Sequence, residues 1–173
     1  MITYRTKTYI AGDWDHDKDA VDQLHKWNDS KYWNLHFTDA HNLTSSRDSS
    51  LNCTIKASLK ERMNASKTFV LIVGDHTDSI TAGACRWCGS YNSYGGYCRK
   101  GYNVDHRSYV KFECDEAVEA EIKIIVLYNS TKVARSKCPE AVKYCGTHVA
   151  MLKKDNDGKI NWDYQSVKDA FEA

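Results

Sequence analysis

The chain has 173 residues, is 42% hydrophobic and 12% aromatic, and carries a formal net charge of +1. This length and composition predict one folded domain over residues 1–173 and exclude a disordered chain. The near-zero charge argues against a nucleic-acid partner. The sequence has no apolar run of membrane length and no apolar secretion segment. We therefore expect no membrane association and a cytoplasmic location.

Five apolar segments predict β-strands, at residues 8–12, 35–38, 68–74, 122–128 and 148–152. The segment 68–74 is apolar throughout and β-branched, which is typical of a central parallel strand buried on both faces. Helical patterns lie between the strands. This alternation predicts a three-layer α/β fold of the flavodoxin-like type, with a five-stranded parallel sheet in the order 2-1-3-4-5.

Helices are predicted where apolar residues recur at helical spacing. The first helix has an apolar face of Ala20, Val21, Leu24 and Trp27, and the second has Leu51, Ile55, Leu59 and Met63. A third helix is predicted to open near residue 109. The last helix has Tyr164, Val167, Ala170 and Phe171 on one face, with Asn161 as its N-cap.

Residues 78–107 predict an irregular insertion, because Gly, Tyr, Ser and Cys residues interrupt any strand or helix pattern. The insertion contributes a candidate Zn²⁺ ligand set, Cys85, Cys88, Cys98 and His106. Only the first pair has the usual metal spacing, and a chain with seven cysteines and no export segment favours reduced thiols. We therefore predict that these cysteines are free thiols and that no metal ion is bound there.

Polar side chains follow the predicted strands at their carboxyl ends. Asp13, Asp39 and Asp75 each come directly after a predicted strand. Trp14 and His76 stand beside two of them, and Arg47 lies in the loop after the second strand. Because ligands of doubly wound sheets bind beyond the carboxyl ends of the strands, these residues are candidates for one binding crevice.

The segment from Ser108 to Glu119 carries the most specific pattern in the chain. It resembles the Ser-x-Trp-x-x-x-Glu signature at the start of the third helix of TIR domains, with Tyr109 in place of Trp and Cys114 in place of the usual Leu or Ile. In that resemblance Glu113 occupies the position of the catalytic glutamate of NAD-cleaving TIR domains. Glu116, one turn along, is the rival, but the four-residue spacing from the aromatic residue selects Glu113.

Residues 8–152 resemble the TIR-like proteins of bacterial Thoeris anti-phage systems, the ThsB type. The segments that carry the likeness begin at Tyr9, Ser46, Phe69, Ser108 and Cys138. The resemblance implies a sensor of phage infection that converts NAD, its substrate, into a cyclic ADP-ribose isomer without another cofactor. It further implies a phage-derived trigger, homo-oligomers on activation, and a diffusible messenger that reaches a separate effector protein.

A non-catalytic signalling module is the alternative from another functional class. A specific form of it is a phospho-receiver, for which Asp13, Asp15, Asp75, Ser130 and Lys153 follow strands in a fitting layout. Against a receiver, about fifty residues separate the third and fourth strands, far more than a short connection needs.

Overall fold

We describe the fold from a computed structural model, which covers residues 4–40 and 51–173. Its helices and strands, in chain order, are β1 (Lys7–Ala11), α1 (Lys18–Asp29), α2 (Asn52–Asn64), β2 (Ser66–Val73), β3 (Tyr91–Asn92), β4 (Tyr97–Cys98), α3 (Tyr109–Glu119), β5 (Lys123–Tyr128), β6 (Thr147–Ala150), β7 (Leu152–Lys154), β8 (Ile160–Trp162) and α4 (Tyr164–Glu172).

A four-stranded parallel sheet in the order β1-β2-β5-β6 forms the centre of the molecule. Residues 69–73 of β2 and 125–128 of β5 are all buried, as expected of central strands covered on both faces. Two small antiparallel hairpins, β3-β4 and β7-β8, lie outside this sheet. The mixed α/β architecture with a parallel sheet is confirmed and is consistent with a flavodoxin-like fold.

Helices cover both faces of the sheet because successive strand residues point to opposite sides. On one face, Tyr9, Phe69 and Leu71 pack with apolar residues of α2 and α3. On the other face, Ile10 and Val70 pack with the apolar sides of α1 and α4. Within residues 4–40 and 51–173, no helix combines the length and the apolar content that crossing a membrane requires.

The predicted strand at residues 35–38 does not form. Asn34 and His36 have φ angles of 23° and 56°, which are incompatible with an extended strand. What remains beside β1 is an isolated parallel bridge between Thr8 and Asp39, with the Thr8 amide donating to the Thr38 carbonyl at 2.8 Å. The described residues therefore give the sheet four strands, and the predicted five-stranded order is not confirmed.

The other predicted strands and the apolar faces of α1 and α4 are confirmed with small shifts of their bounds. In α2, Met63 is the buried member of the predicted apolar face, and Lys56 and Arg62 are buried as well. The N-cap of the last helix is a correction. Asn161 lies inside β8, and Asp163 caps α4 by accepting a hydrogen bond from the Ser166 amide at 3.2 Å. An Asp directly before the first helical residue is in a better position to cap than a residue three positions upstream.

The insertion at residues 78–107 is more ordered than its sequence suggests. It contains two 3-10 turns and the β3-β4 hairpin. The buried Lys56 side chain of α2 anchors its end by donating to the Asp105 and Arg107 carbonyls at 3.3 and 2.7 Å. Arg107 in turn bridges Asp105 and Asp115, so the insertion is fixed to both α2 and α3.

Gly146, at the entrance to β6, is expected to tolerate no side chain. Its φ angle is 72°, and a Cβ atom there would lie 2.0 Å from the Ile124 carbonyl oxygen. Gly158 has a similar φ of 82°, but a Cβ atom would meet nothing closer than 3.6 Å. Gly158→Ala should therefore lose about 1 kcal/mol of unfolding free energy from backbone strain alone, and Gly146→Ala about 2 kcal/mol more from overpacking. Equal losses in urea unfolding would contradict this packing.

Candidate functional site

A cavity of about 360 Å³ opens at the carboxyl end of β1, between α2 and α3. β1 and the loop after it supply one wall, α2 a second, and the segment after β2 together with the start of α3 the rest. The residues that line the cavity are Tyr9, Ile10, Gly12, Asp13, Trp14, Asp15, Ile55, Leu59, Arg62, Ile80, Ala82, Tyr109, Val110 and Glu113. Its volume is within the range of small-molecule sites in proteins.

Glu113 reaches this cavity because of where α3 begins. The Ser108 hydroxyl caps the helix by accepting a hydrogen bond from the Lys111 amide at 3.2 Å. From that start, Tyr109, Val110 and Glu113 fall on one face of the helix and line the cavity together. The Glu113 side chain is buried, with 8% of the residue exposed.

Three effects set the pKa of the Glu113 carboxyl group. Burial raises its pKa, while a hydrogen bond with the Tyr9 hydroxyl and the positive charge of Arg62 lower it, and the result is a pKa of about 7. A carboxyl group titrating near neutral pH can exist as either the acid or the carboxylate under ordinary conditions. Such groups concentrate in catalytic sites, so this value adds weight to Glu113 as the site's reactive group.

Tyr9 and Arg62 were not among the residues expected in the site. Arg62 follows Ile55 and Leu59 at helical spacing, so a charged residue on the apolar stripe of α2 was the available signal. Tyr9 lies inside the apolar run of β1, and its residue type alone gives no sign of a site. Burial and the neighbouring Glu113 raise the pKa of its hydroxyl, which keeps Tyr9 protonated as a hydrogen-bond donor.

Asp13 lies in the cavity wall, where its carboxylate holds the loop after β1. It accepts hydrogen bonds from the Asp15 amide at 3.0 Å and from His16 Nδ1 at 2.6 Å. Although burial alone would raise the pKa of Asp13, these bonds bring it below its ordinary value, so it remains ionised. The His16 ring also lies 4.1 Å, centroid to centroid, from the ring of His76.

Two aromatic residues frame the cavity. Trp14 is 40% exposed, and Tyr109 is half-buried with its hydroxyl donating to Asn52 Oδ1 at 3.0 Å. Burial raises the pKa of Tyr109 to about 12, so its hydroxyl stays protonated. Flat aromatic faces beside a cavity can stack on a planar ligand ring.

Other expected site residues lie elsewhere. Asp39 contacts His25 Nε2 at 3.3 Å, and His25 belongs to α1 on the opposite face of the sheet. Asp75 is exposed and pairs with Lys137, and neither Asp75 nor His76 lines the cavity. Arg47 lies outside the described residues. The structure therefore places Asp13, Trp14, Tyr109 and Glu113 in the cavity wall, whereas Asp39, Asp75 and His76 do not line the cavity.

The candidate zinc ligands do not form the expected set. His106 is exposed, and its ring meets the edge of the Tyr91 ring at 5.4 Å. Cys85, Cys88 and Cys98 instead share a small apolar cavity with Cys53 of α2, and all four thiols are free. Across the part of the chain that the structure describes, no group of three or more potential ligands has the spacing to hold a metal ion as it stands.

The residues of the phospho-receiver layout have local partners. Lys153 Nζ lies 3.9 Å from Asp163, and the Ser130 hydroxyl donates to the Lys132 carbonyl at 2.6 Å. Asp75 pairs with Lys137. Burial raises the pKa of Asp17, and the negative charges of Asp13 and Asp75 raise it further. The phospho-receiver alternative stays a prediction.

Residues 7–82 match the family model of the Thoeris protein ThsB, TIR-like domain. Over this segment the chain resembles the TIR-like domain of ThsB. The matched segment contains β1, α1, α2 and β2, and therefore supplies Tyr9, Asp13, Trp14 and Arg62 of the cavity. No curated protein matches the chain. The likeness to ThsB supports a signalling role connected with Thoeris defence.

The raised pKa of Glu113 has a consequence for stability. A carboxyl group whose pKa is 4.5 when unfolded and about 7 when folded stabilises the fold below pH 4.5, and that contribution is lost as the pH rises through 7. Glu113→Gln removes the ionisation. Its unfolding free energy, relative to the original chain, should therefore increase by about 3 kcal/mol between pH 4 and pH 8.5.

Denaturant unfolding at a series of pH values measures this difference. Glu116→Gln is the matched control, because Glu116 lies one turn along α3, pairs with Lys60 at 3.0 Å and does not line the cavity. Loss of that partly exposed ion pair should change stability by less than about 1 kcal/mol. A Glu113→Gln profile that runs parallel to that of the original chain would contradict the buried, neutral-titrating carboxyl.

Proposed function

We propose that this chain is a TIR-type enzyme of Thoeris defence that cleaves nicotinamide from NAD and closes the remaining ADP-ribose into a cyclic isomer. The observation that carries the proposal is Glu113, a buried carboxyl group with a pKa of about 7 that faces a ligand-sized cavity beside Tyr9 and Arg62. The match of residues 7–82 to the TIR-like domain of ThsB supports a reaction of TIR type.

The chemistry needs a carboxylate at this place. When the bond between ribose C1′ and the nicotinamide nitrogen breaks, its electron pair leaves with neutral nicotinamide and an oxocarbenium-like centre develops on the ribose. The Glu113 carboxylate stabilises that positive charge and accepts hydrogen bonds from the ribose hydroxyls. The positively charged nicotinamide of bound NAD favours the ionised form of Glu113, so substrate binding prepares the group for its role.

Arg62 and Tyr9 both favour the carboxylate form of Glu113 over the acid. They offset part of the cost of burial, so the group can still change its protonation state near neutral pH. Asp13 keeps the loop after β1 in place, which positions Trp14 at the rim of the cavity. Trp14 and Tyr109 are suited to stack on the planar rings of a dinucleotide.

Cyclisation requires that water be kept from ribose C1′, because water attack there gives linear ADP-ribose. The cavity wall contains Ile55, Leu59, Ile80 and Val110, which are apolar. Ile80 belongs to the insertion, whose far end Lys56 holds to α2. In this proposal the insertion acts as the lid, and an adenine or ribose nucleophile of the same molecule attacks C1′ and loses its proton.

Ile80→Ala tests the role of this apolar wall. Truncation opens the cavity to water, so we expect a severalfold rise in the ratio of linear to cyclic ADP-ribose among the products. Ile160→Ala is the matched control, because Ile160 is 57% exposed on β8 and does not line the cavity. Liquid chromatography with mass spectrometry measures the ratio, and an unchanged ratio in Ile80→Ala would remove the lid from the proposal.

The enzyme itself is tested in cells that carry the protein, with and without phage infection, by following NAD and its products. We expect an ADP-ribose isomer in infected cells, at least about 100-fold less of it with Glu113→Gln, and nearly unchanged amounts with Glu116→Gln. An isomer formed equally by Glu113→Gln would move the catalytic role to another residue. Absence of the isomer in infected cells would contradict the cyclase proposal.

The product would act as a diffusible messenger to a separate effector protein, and a phage-derived trigger with assembly of several copies would switch the enzyme on. Both parts of this proposal rest on the likeness to ThsB. Transfer of a filtered lysate, free of macromolecules, to the isolated effector separates messenger signalling from direct contact.

A further inference from the structure

Four cysteines from distant parts of the chain line one small cavity. Cys53 lies in the first turn of α2, while Cys85, Cys88 and Cys98 belong to the insertion. They line a cavity of about 10 Å³ together with apolar parts of Leu51, Tyr91, Tyr102 and Asn103. A space of this size holds one small atom or ion at most.

The backbone of the insertion brings its three cysteines to this cavity. Cys85 opens a 3-10 turn that Cys88 closes, with the Cys88 amide donating to the Cys85 carbonyl at 2.9 Å. The Asp105 amide donates to Cys85 Sγ at 3.2 Å. Cys98 sits on β4 opposite Tyr91, so the hairpin folds it back toward the turn.

Four sulfur donors around a one-atom space are the ligand set of a soft, tetrahedral ion. Thiolates at tetrahedral positions favour Zn²⁺, and a C-x2-C turn paired with two further cysteines is a common way to supply them. His106, the fourth ligand suggested by sequence spacing, is replaced here by Cys53. In the described arrangement the thiols are not yet at coordination spacing, so binding must turn the sulfurs inward onto the ion.

We propose that Cys53, Cys85, Cys88 and Cys98 form a structural Zn²⁺ site that fastens the insertion to α2. Binding converts the four thiols to thiolates and releases their protons to solvent, with no change of oxidation state. The site is independent of NAD chemistry. Its effect reaches the large cavity through Asn52, the neighbour of Cys53, because Asn52 accepts the hydrogen bond of Tyr109.

The test uses the full chain purified under reducing conditions, supplied with zinc sulfate alone and then desalted. We expect about one zinc per chain by elemental analysis, with a shell of sulfur atoms at about 2.3 Å in zinc-edge X-ray absorption. Cys53→Ser and Cys98→Ser should retain a small fraction of that zinc. Cys145→Ser, whose thiol contacts the Ala141 carbonyl away from the cluster, and His106→Ala should retain all of it.

Thermal unfolding provides a second readout that does not depend on the variants folding equally well. Addition of a zinc chelator should lower the melting temperature of the original chain and leave that of Cys53→Ser unchanged. The proposal is overturned if the original chain retains no zinc, if Cys53→Ser retains it fully, or if thiol alkylation of freshly isolated protein reveals a disulfide among the four cysteines.

Discussion

The structure around the cavity depends on the burial of one ionisable group. Glu113 is placed where water is largely excluded, and a tyrosine hydroxyl and an arginine charge compensate for part of the lost hydration. Full compensation would return the pKa to its ordinary value of 4.5, while no compensation would raise the pKa further and keep the group protonated at neutral pH. The balance between these limits brings the pKa to about 7, which leaves the group responsive to the charge of a ligand.

This balance requires that three elements meet within narrow tolerances. β1 brings Tyr9, α2 brings Arg62 and α3 brings Glu113 onto one face of the sheet. The start of α3 is fixed by the Ser108 cap and by close packing on Gly83, where a Cβ atom would lie 2.6 Å from the Tyr109 ring. The insertion carries Gly83, so its attachment to α2 and α3 also fixes the position of Glu113.

Sequence patterns predicted the parts of the fold that are governed by long apolar runs. The continuous apolar runs of β2 and β5 reflect burial on both faces of the sheet. The helical spacing of apolar residues in α1 and α4 reflects burial on one face. The segment at residues 35–38 looks like a short strand by composition, but its left-handed φ angles depend on local packing that no periodicity reveals. The spacing from Tyr109 selected Glu113 as a candidate, and the structure places Glu113 buried in the cavity wall.

The positions of the polar side chains that follow the strands at their carboxyl ends were harder to predict. The rule that polar groups follow parallel strands places them at one edge, but it does not say which face they take. Asp39 turned to α1 and Asp75 to Lys137, whereas Asp13 stayed in the cavity wall. Arg62 lies on the predicted apolar face of α2. Cys53 lies 32 to 45 residues before the three cysteines that share its cavity, a separation that only the folded chain closes.

The central claim is that the Glu113 carboxyl titrates near neutral pH under the control of Tyr9 and Arg62. Carbon-13 NMR of protein labelled at glutamate carboxyls, with Glu113→Gln to assign the signal, measures this titration directly. We expect a midpoint near pH 7 that moves upward in Tyr9→Phe and in Arg62→Gln, because each removes a stabiliser of the carboxylate. A midpoint near the ordinary value of 4.5, unchanged in both variants, would contradict this account of the site.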